Sequence, residues 1–256
     1  MKIAALQFSA KIGDVSSNVE RIRSAAIRAA KASACLLVAP ELAVSGYGAA
    51  DAFRASSQHP VELAELLGKT ATQYSINLIV GFAENAGDCL YNSAILIRPN
   101  GDFQVYRKSH LYGDYEKRYF SAEPPSVALF DINGFKAGML ICYDVEFPEN
   151  VRRLAVAGAD LIVVPTALPA GEFGDFIAGS VVRVRAFENQ VFLNYTNHVG
   201  TDGAFSYAGQ SAIIAPDATV LARASSGEDD LIFAELDRNA YEQSRQENSY
   251  LKDLVS

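Results

Sequence analysis

About eleven short, apolar, β-rich runs recur along this chain, and only four stretches between them carry a helical period. Any fold must therefore bury many strands beneath a few amphipathic helices. The runs are IAALQF, CLLVAP, NLIVGFAE, YNSAILIRP, FQVYRK, SVALFDI, KAGMLICY, DLIVVPT, QVFLNYTNH, GQSAIIAP and DLIFAELD. In the first helical stretch, NVERIRSAAIRAAKASA, Val19, Ile22, Ala26 and Ala29 share a face, and Asn18 is placed to cap it. PVELAELLGKTATQYS follows with Leu63, Leu66 and Leu67, PENVRRLAVAGAD opens at Pro148 and stops near Gly158, and GDFIAGSVVRVRAFEN is the fourth. Pro99-Asn100-Gly101-Asp102 reads as a hairpin turn. The mixture predicts an α/β layered fold. With no repeat, low-complexity tract or linker, residues 1–256 are expected to form one domain. The polar tail from Arg238 either packs on a neighbouring subunit or frays.

A net charge of −8 and a pI near 5.0, with no basic run, argue against nucleic acid and anionic membranes as partners. No apolar run reaches membrane-spanning length and MKIAALQFSAKIGD lacks a secretory core, so a cytoplasmic location is expected. Three cysteines without a CxxC spacing fit reduced thiols better than a disulfide frame. No motif supports a metal, nucleotide or dinucleotide site, so no cofactor is expected.

Four residues stand out chemically. Cys142 ends an apolar run shortly before Pro148, and a strand-to-helix turn can present such a thiol beside backbone N–H groups. By composition alone, a lone cysteine there is more often a small buried hydrophobe. Glu41 directly follows CLLVAP, at the kind of strand end where ligand sites gather in α/β sheets, and would suit a general base. Lys108, in VYRKSHLYGDYEKRYF, could stabilise a thiolate and an oxyanion, although most lysines are surface groups. Glu116 follows in the same segment. His110 offers a rival Cys–His pairing.

Together, APELAVSGY, YRKSHLYGDYEKRYF and GMLICYDVEFPENVRRLAVAGADLIVVPTA resemble the three signature regions of the nitrilase superfamily of carbon–nitrogen hydrolases, in the same order. The likeness continues into VRVRAFENQVFLNYTN and AGQSAIIAPDATVLA. The resemblance implies a four-layer α-β-β-α sandwich, usually dimerised through its helices. It also implies a catalytic set of Glu41, Lys108 and Cys142, with Glu116 as the second glutamate of the family's amidases. Oxyanion or substrate contacts would come from Tyr143, Glu146 and Thr166, with supporting roles for Asp144, Arg185, Glu188 and Asn189. Cys-Tyr-Asp at the nucleophile, instead of the Cys-Trp-Glu of true nitrilases, favours amide chemistry through a thioester. The alternatives, in order, are an N-carbamoyl amidohydrolase, a nitrilase and a non-catalytic member. CYDVEFPE carries Glu146 where family members acting on dicarboxylate-type amides carry Arg, which favours a neutral or amino-bearing amide.

Overall fold

The structure is a computed structural model and describes residues 1–254. Strands β1 (Lys2–Gln7), β2 (Leu36–Val38), β3 (Asn77–Ala86), β4 (Cys89–Ile97), β5 (Phe103–Arg107) and β14 (Asp230–Glu235) form one six-stranded sheet in the order β14-β1-β2-β3-β4-β5. The second contains β6 (Leu129–Ile132), β7 (Phe135–Met139), β8 (Leu161–Pro165), β9 (Phe192–Thr196), β12 (Ala212–Ile214) and β13 (Val220–Arg223), in the order β13-β12-β9-β8-β7-β6. Between β9 and β12, β10 (Thr201–Asp202) and β11 (Phe205–Ser206) pair as a small ribbon. The helices are α1 (Val15–Lys31), α2 (Phe53–Ser56), α3 (Pro60–Tyr74), α4 (Gly113–Tyr119), α5 (Pro148–Val156), α6 (Glu172–Phe176), α7 (Val182–Asn189), α8 (Glu242–Glu247) and α9 (Tyr250–Asp253). None is long and apolar enough to cross a membrane among the described residues.

The period-2 alternation of the first sheet explains the layering. Ile3, Ala5, Leu36, Val38, Ile79 and Leu96 point inward and join Ala137, Met139, Ile162 and Leu193 of the second sheet in one core. Their neighbours Ala4, Leu6, Leu37, Leu78, Val80 and Ile95 point outward and pack with Ile22 and Ala26 of α1 and Leu63 and Leu67 of α3. On the far side, Val151 and Leu154 of α5 and Val182 and Ala186 of α7 cover the second sheet. The result is the expected α-β-β-α sandwich.

Several local expectations change. The cap of α1 is Asp14, whose carboxylate accepts from Ser17 N–H at 3.0 Å. Asn18 is instead buried, and its amide bonds the backbone of Lys11 and Val44. The stretch read as one helix from Gly174 is interrupted by a π-helical turn at Ile177–Val181 between α6 and α7. β13 and the β10–β11 ribbon were too short or too mixed in composition to stand out as strands. The tail packs on its own chain: Tyr241 meets Phe192, Tyr250 meets Phe187, and Arg238 pairs with Asp160. Its last two residues, 255–256, lie outside the described residues.

Each sheet has three parallel strands at its centre, β1-β2-β3 and β7-β8-β9, and the segments leaving β2 and β7 carry Glu41 and Cys142. Gly81 of β3 lets the Glu41 segment lie directly against the strand. A Cβ there would sit 2.3 Å from Pro40 O and 2.6 Å from Glu41 Cα. Gly81→Ala should therefore cost about 1–3 kcal/mol or more by overpacking against backbone. The check is urea unfolding, with a lowered midpoint at unchanged slope expected.

Candidate active site

Glu41, Lys108 and Glu116 are all fully buried and share one bonded cluster. The Lys108 ammonium donates to Glu41 Oε1 and to Glu116 Oε1, each at 2.7 Å. Asn92, from β4, donates its amide to Glu41 Oε1 at 2.7 Å. Glu116, on α4, also accepts from the Tyr47 hydroxyl at 2.8 Å and, at Oε2, from Tyr112 N–H at 2.9 Å. Glu41 Oε2 is buried with no partner among the described residues. A bare carboxylate oxygen in such a place is a ready proton acceptor.

Burial works against the charged form of Lys108, but the carboxylates of Glu116 and Glu41 outweigh it and hold the ammonium's pKa well above the ordinary lysine value. For Glu116, burial raises the pKa despite the opposing pull of Lys108. Two of the three ammonium protons are committed to carboxylates, which leaves one for a ligand.

Cys142 opens a 3₁₀ turn, Cys142–Glu146, that follows β7, and its backbone adopts φ 44°. A non-glycine residue in that region costs on the order of 1–3 kcal/mol, so surrounding bonds must hold it there. Asp144 does so. Its buried carboxylate accepts from Ile141 N–H (3.2 Å), Tyr106 O–H (2.9 Å), His110 N–H (2.9 Å) and His110 Nδ1–H (2.9 Å). His110 is thus engaged with Asp144 and stacked on Phe147, so it supports the turn instead of pairing with the thiol. Asn150 adds a bond to the Asp144 carbonyl at 2.9 Å. The backbone bonds of the turn begin with Asp144 N–H to Ile141 O at 3.0 Å, and the preceding Tyr143 N–H, with no partner among the described residues, is placed to serve a ligand.

Burial, foremost, and the charge of Glu41 push the Cys142 thiol well above its ordinary pKa, while Lys108 and the Ala167 N–H pull it down. The resting sulfur is therefore a neutral thiol that needs a base. It faces a cavity of about 440 Å³ lined by Tyr47, Tyr112, Tyr143, Glu146 and Phe173, among others. A depression of equal volume on the α1 surface, lined by Arg21 and Asp229, contains none of these groups. Thr166 does not line the cavity: it is buried, and its hydroxyl donates to Val164 O at 3.0 Å, while its neighbour Ala167 lines the wall. Arg185 bonds the Val145 and Glu146 carbonyls and Glu188, bracing the turn from α7. Asn189 bonds the Arg185 carbonyl.

Three contributors escaped the sequence reading. Tyr47 and Asn92 complete the two carboxylates, and His198 Nε2 lies 2.6 Å from the Glu41 carbonyl. Polar residues inside otherwise apolar runs, Asn92 in YNSAILIRP and His198 after QVFLNYTN, were the available signal. No group of three or more metal-ligating side chains occurs among the described residues.

The carbon–nitrogen hydrolase family model matches residues 2–246. The chain is 40% identical to the "Hydrolase in pqqF 5'region" of Pseudomonas protegens, over 99% of this chain and 88% of that one. It is 34% identical to an (R)-stereoselective amidase of Pseudomonas sp., over 99% and 91%. Among solved structures, an amidase from Nesterenkonia sp. superposes with a TM-score of 0.88 at 31% identity, covering 99% of this chain and 92% of that one. Another structure of that amidase shows covalent addition of the acetamide moiety of fluoroacetamide at its active site cysteine (TM-score 0.86, 30% identity, 100% and 97% covered). The chain belongs to the carbon–nitrogen hydrolase family, in the amidase-like branch of the nitrilase superfamily, and is a hydrolase of C–N amide bonds.

Removing the ammonium leaves two buried carboxylates facing each other. Lys108→Met should lower stability by about 3–5 kcal/mol near neutral pH. Without the cation nothing opposes the burial that already raises the Glu116 pKa, so stability returns as that carboxyl protonates. The deficit relative to wild type, read from urea midpoints, should shrink from about pH 8 to about pH 5.

Proposed function

We propose that this carbon–nitrogen hydrolase is a cysteine-dependent amidase that converts a small carboxamide to its carboxylic acid and ammonia through a thioester on Cys142. The observation that carries this reading is the bare Glu41 Oε2 beside a Lys108 already fixed by two carboxylates, both bearing electrostatically on the Cys142 thiol. Sγ attacks the carbonyl carbon as its proton passes to Glu41. The oxyanion is received by the remaining Lys108 proton and the Tyr143 N–H. The C–N bond breaks as Glu41 returns the proton to nitrogen, and ammonia leaves. Water then gives a proton to Glu41 and attacks the thioester; the C–S bond breaks as Glu41 returns that proton to Sγ, which restores both the thiol and the carboxylate. In this scheme Glu116 holds Lys108 and orients the substrate amide, and no cofactor takes part. The covalent chemistry at the cysteine of the Nesterenkonia amidase supports the assignment of the nucleophile.

Residues 1–256 are taken as one catalytic domain, and three unpaired thiols suit a reducing, cytoplasmic setting. A homodimer, implied by the family resemblance, would cover exposed apolar side chains such as Val156, Phe173, Phe176 and Val184 of α5, α6 and α7. Light scattering should give twice the 27.6 kDa of one chain; a monomer alone would exclude that pairing.

The mechanism is tested by acid-quenching turnover of butanamide and measuring intact mass. A butanoyl increment should map to Cys142, and Cys142→Ala should lose ammonia release by about 10⁴-fold or more. Retained activity in that variant would sink the mechanism. Carbon dioxide accompanying ammonia from a ureido compound, with no amide turnover, would instead assign the carbamoyl chemistry.

A further inference from the structure

The cavity at Cys142 is electrostatically one-sided. Among its described lining residues are two carboxylates, Glu146 and Glu172, and no lysine, arginine or histidine. The ammonium of Lys108, just behind it, is already matched by Glu41 and Glu116. Glu146 is half-buried, yet its carboxylate has no hydrogen-bond or ion-pair partner among the described residues. The adjacent guanidinium of Arg185 does not serve it, being spent on the Val145 and Glu146 carbonyls and on Glu188. Burial raises the Glu146 pKa against the pull of Lys108 and Arg185, so the group gains from any cation that replaces lost water. Beside it, Tyr112 and Tyr143 meet edge to face at 5.2 Å, offering aromatic surface of the kind that attracts ammonium groups.

We propose that the site selects amides whose acyl chain ends in an ammonium group, with Glu146 receiving that group against the rings of Tyr112 and Tyr143. The inference rests on the amidase reading above and names its substrate class. Its length scale comes from the turn itself. Glu146 is the last residue of the 3₁₀ turn that Cys142 opens, and at about 2 Å per residue their Cα atoms are roughly 8 Å apart. That separation suits two to four methylenes between carbonyl and nitrogen. Glu172, at the start of α6, is exposed at the rim and adds to the attraction without closing on the ligand.

The experiment pairs 3-aminopropanamide, 4-aminobutanamide and 5-aminopentanamide with butanamide, pentanamide and hexanamide, their neutral counterparts of equal chain length, and adds 4-carboxybutanamide. Ammonia release gives kcat/KM for each. At the best length the ammonium amide should exceed its neutral partner by about tenfold or more, as a desolvated charged hydrogen bond provides, and the carboxylate amide should be the poorest. In Glu146→Gln the ratio between the pair should fall to within about threefold, with the change carried mainly by KM. If the neutral amide equals or surpasses its partner at every length, or if the preference survives Glu146→Gln, the proposal is overturned while the amidase reading stands. Ammonia from none of the seven amides would overturn both.

Discussion

The buried ammonium of Lys108 between Glu41 and Glu116 is the interaction on which the site is built. Placing three charges beyond reach of water is expensive, and the arrangement holds only because each carboxylate has further donors. Asn92 serves Glu41, while the Tyr47 hydroxyl and Tyr112 N–H serve Glu116. Those donors come from β4, from the loop after Glu41 and from the start of α4, so three separate stretches must arrive together before the cluster is stable. Gly81 belongs to the same requirement, because any side chain there would displace the backbone of Glu41. His198 completes the hold from the other sheet. Both of its ring nitrogens face carbonyl oxygens, of Glu41 and Phe8, and burial keeps the ring neutral. A neutral imidazole has one N–H, and the shorter 2.6 Å contact indicates that it goes to Glu41.

The nucleophile is prepared in a different way. A neutral, buried thiol would be inert without two provisions: a base oxygen with no other partner and a backbone that turns the side chain toward the cavity. The left-handed conformation of Cys142 supplies the turn, and the four bonds to Asp144 maintain it. Cys-Tyr-Asp is therefore a structural unit as well as a chemical one. Asp144 sits behind the thiol as the brace that keeps it presented.

Much of this was legible before the structure, for uneven reasons. The apolar runs separated by helical stretches implied an α/β layered fold, because a strand buried on both faces leaves a near-continuous apolar run, and the four-layer sandwich was implied only by the family resemblance. Cys142, Glu41 and Lys108 could be singled out only through their flanking segments, since each is unremarkable alone. Asn92, Tyr47 and His198 were not legible as partners. A single polar residue in an apolar run states that something must satisfy it, but not what. Asn18 shows the same limit, since its spacing suited a cap while the true cap of α1, Asp14, lies four residues earlier. Thr166, implied as a contact by the resemblance, turns its hydroxyl to the Val164 carbonyl, and it is the next residue, Ala167, that lines the cavity just past the end of β8.

The two sheets also divide the chemistry. Glu41, Lys108 and Glu116 come from the half of the chain that builds the first sheet, whereas Cys142 and Glu146 follow a strand of the second. Polar bonds join the halves at this point: Tyr106 and His110 reach Asp144, His198 lies against the Glu41 carbonyl, and the Gln7 side chain bonds Ser211. Proton donor and proton acceptor thus ride on separate plates, and their alignment is a reading of how far one plate has slid over the other. Apolar packing tolerates such sliding more readily than a proton transfer does. The bonds that cross to Asp144 and Glu41 therefore fix the distance between donor and acceptor more finely than the apolar core between the sheets does.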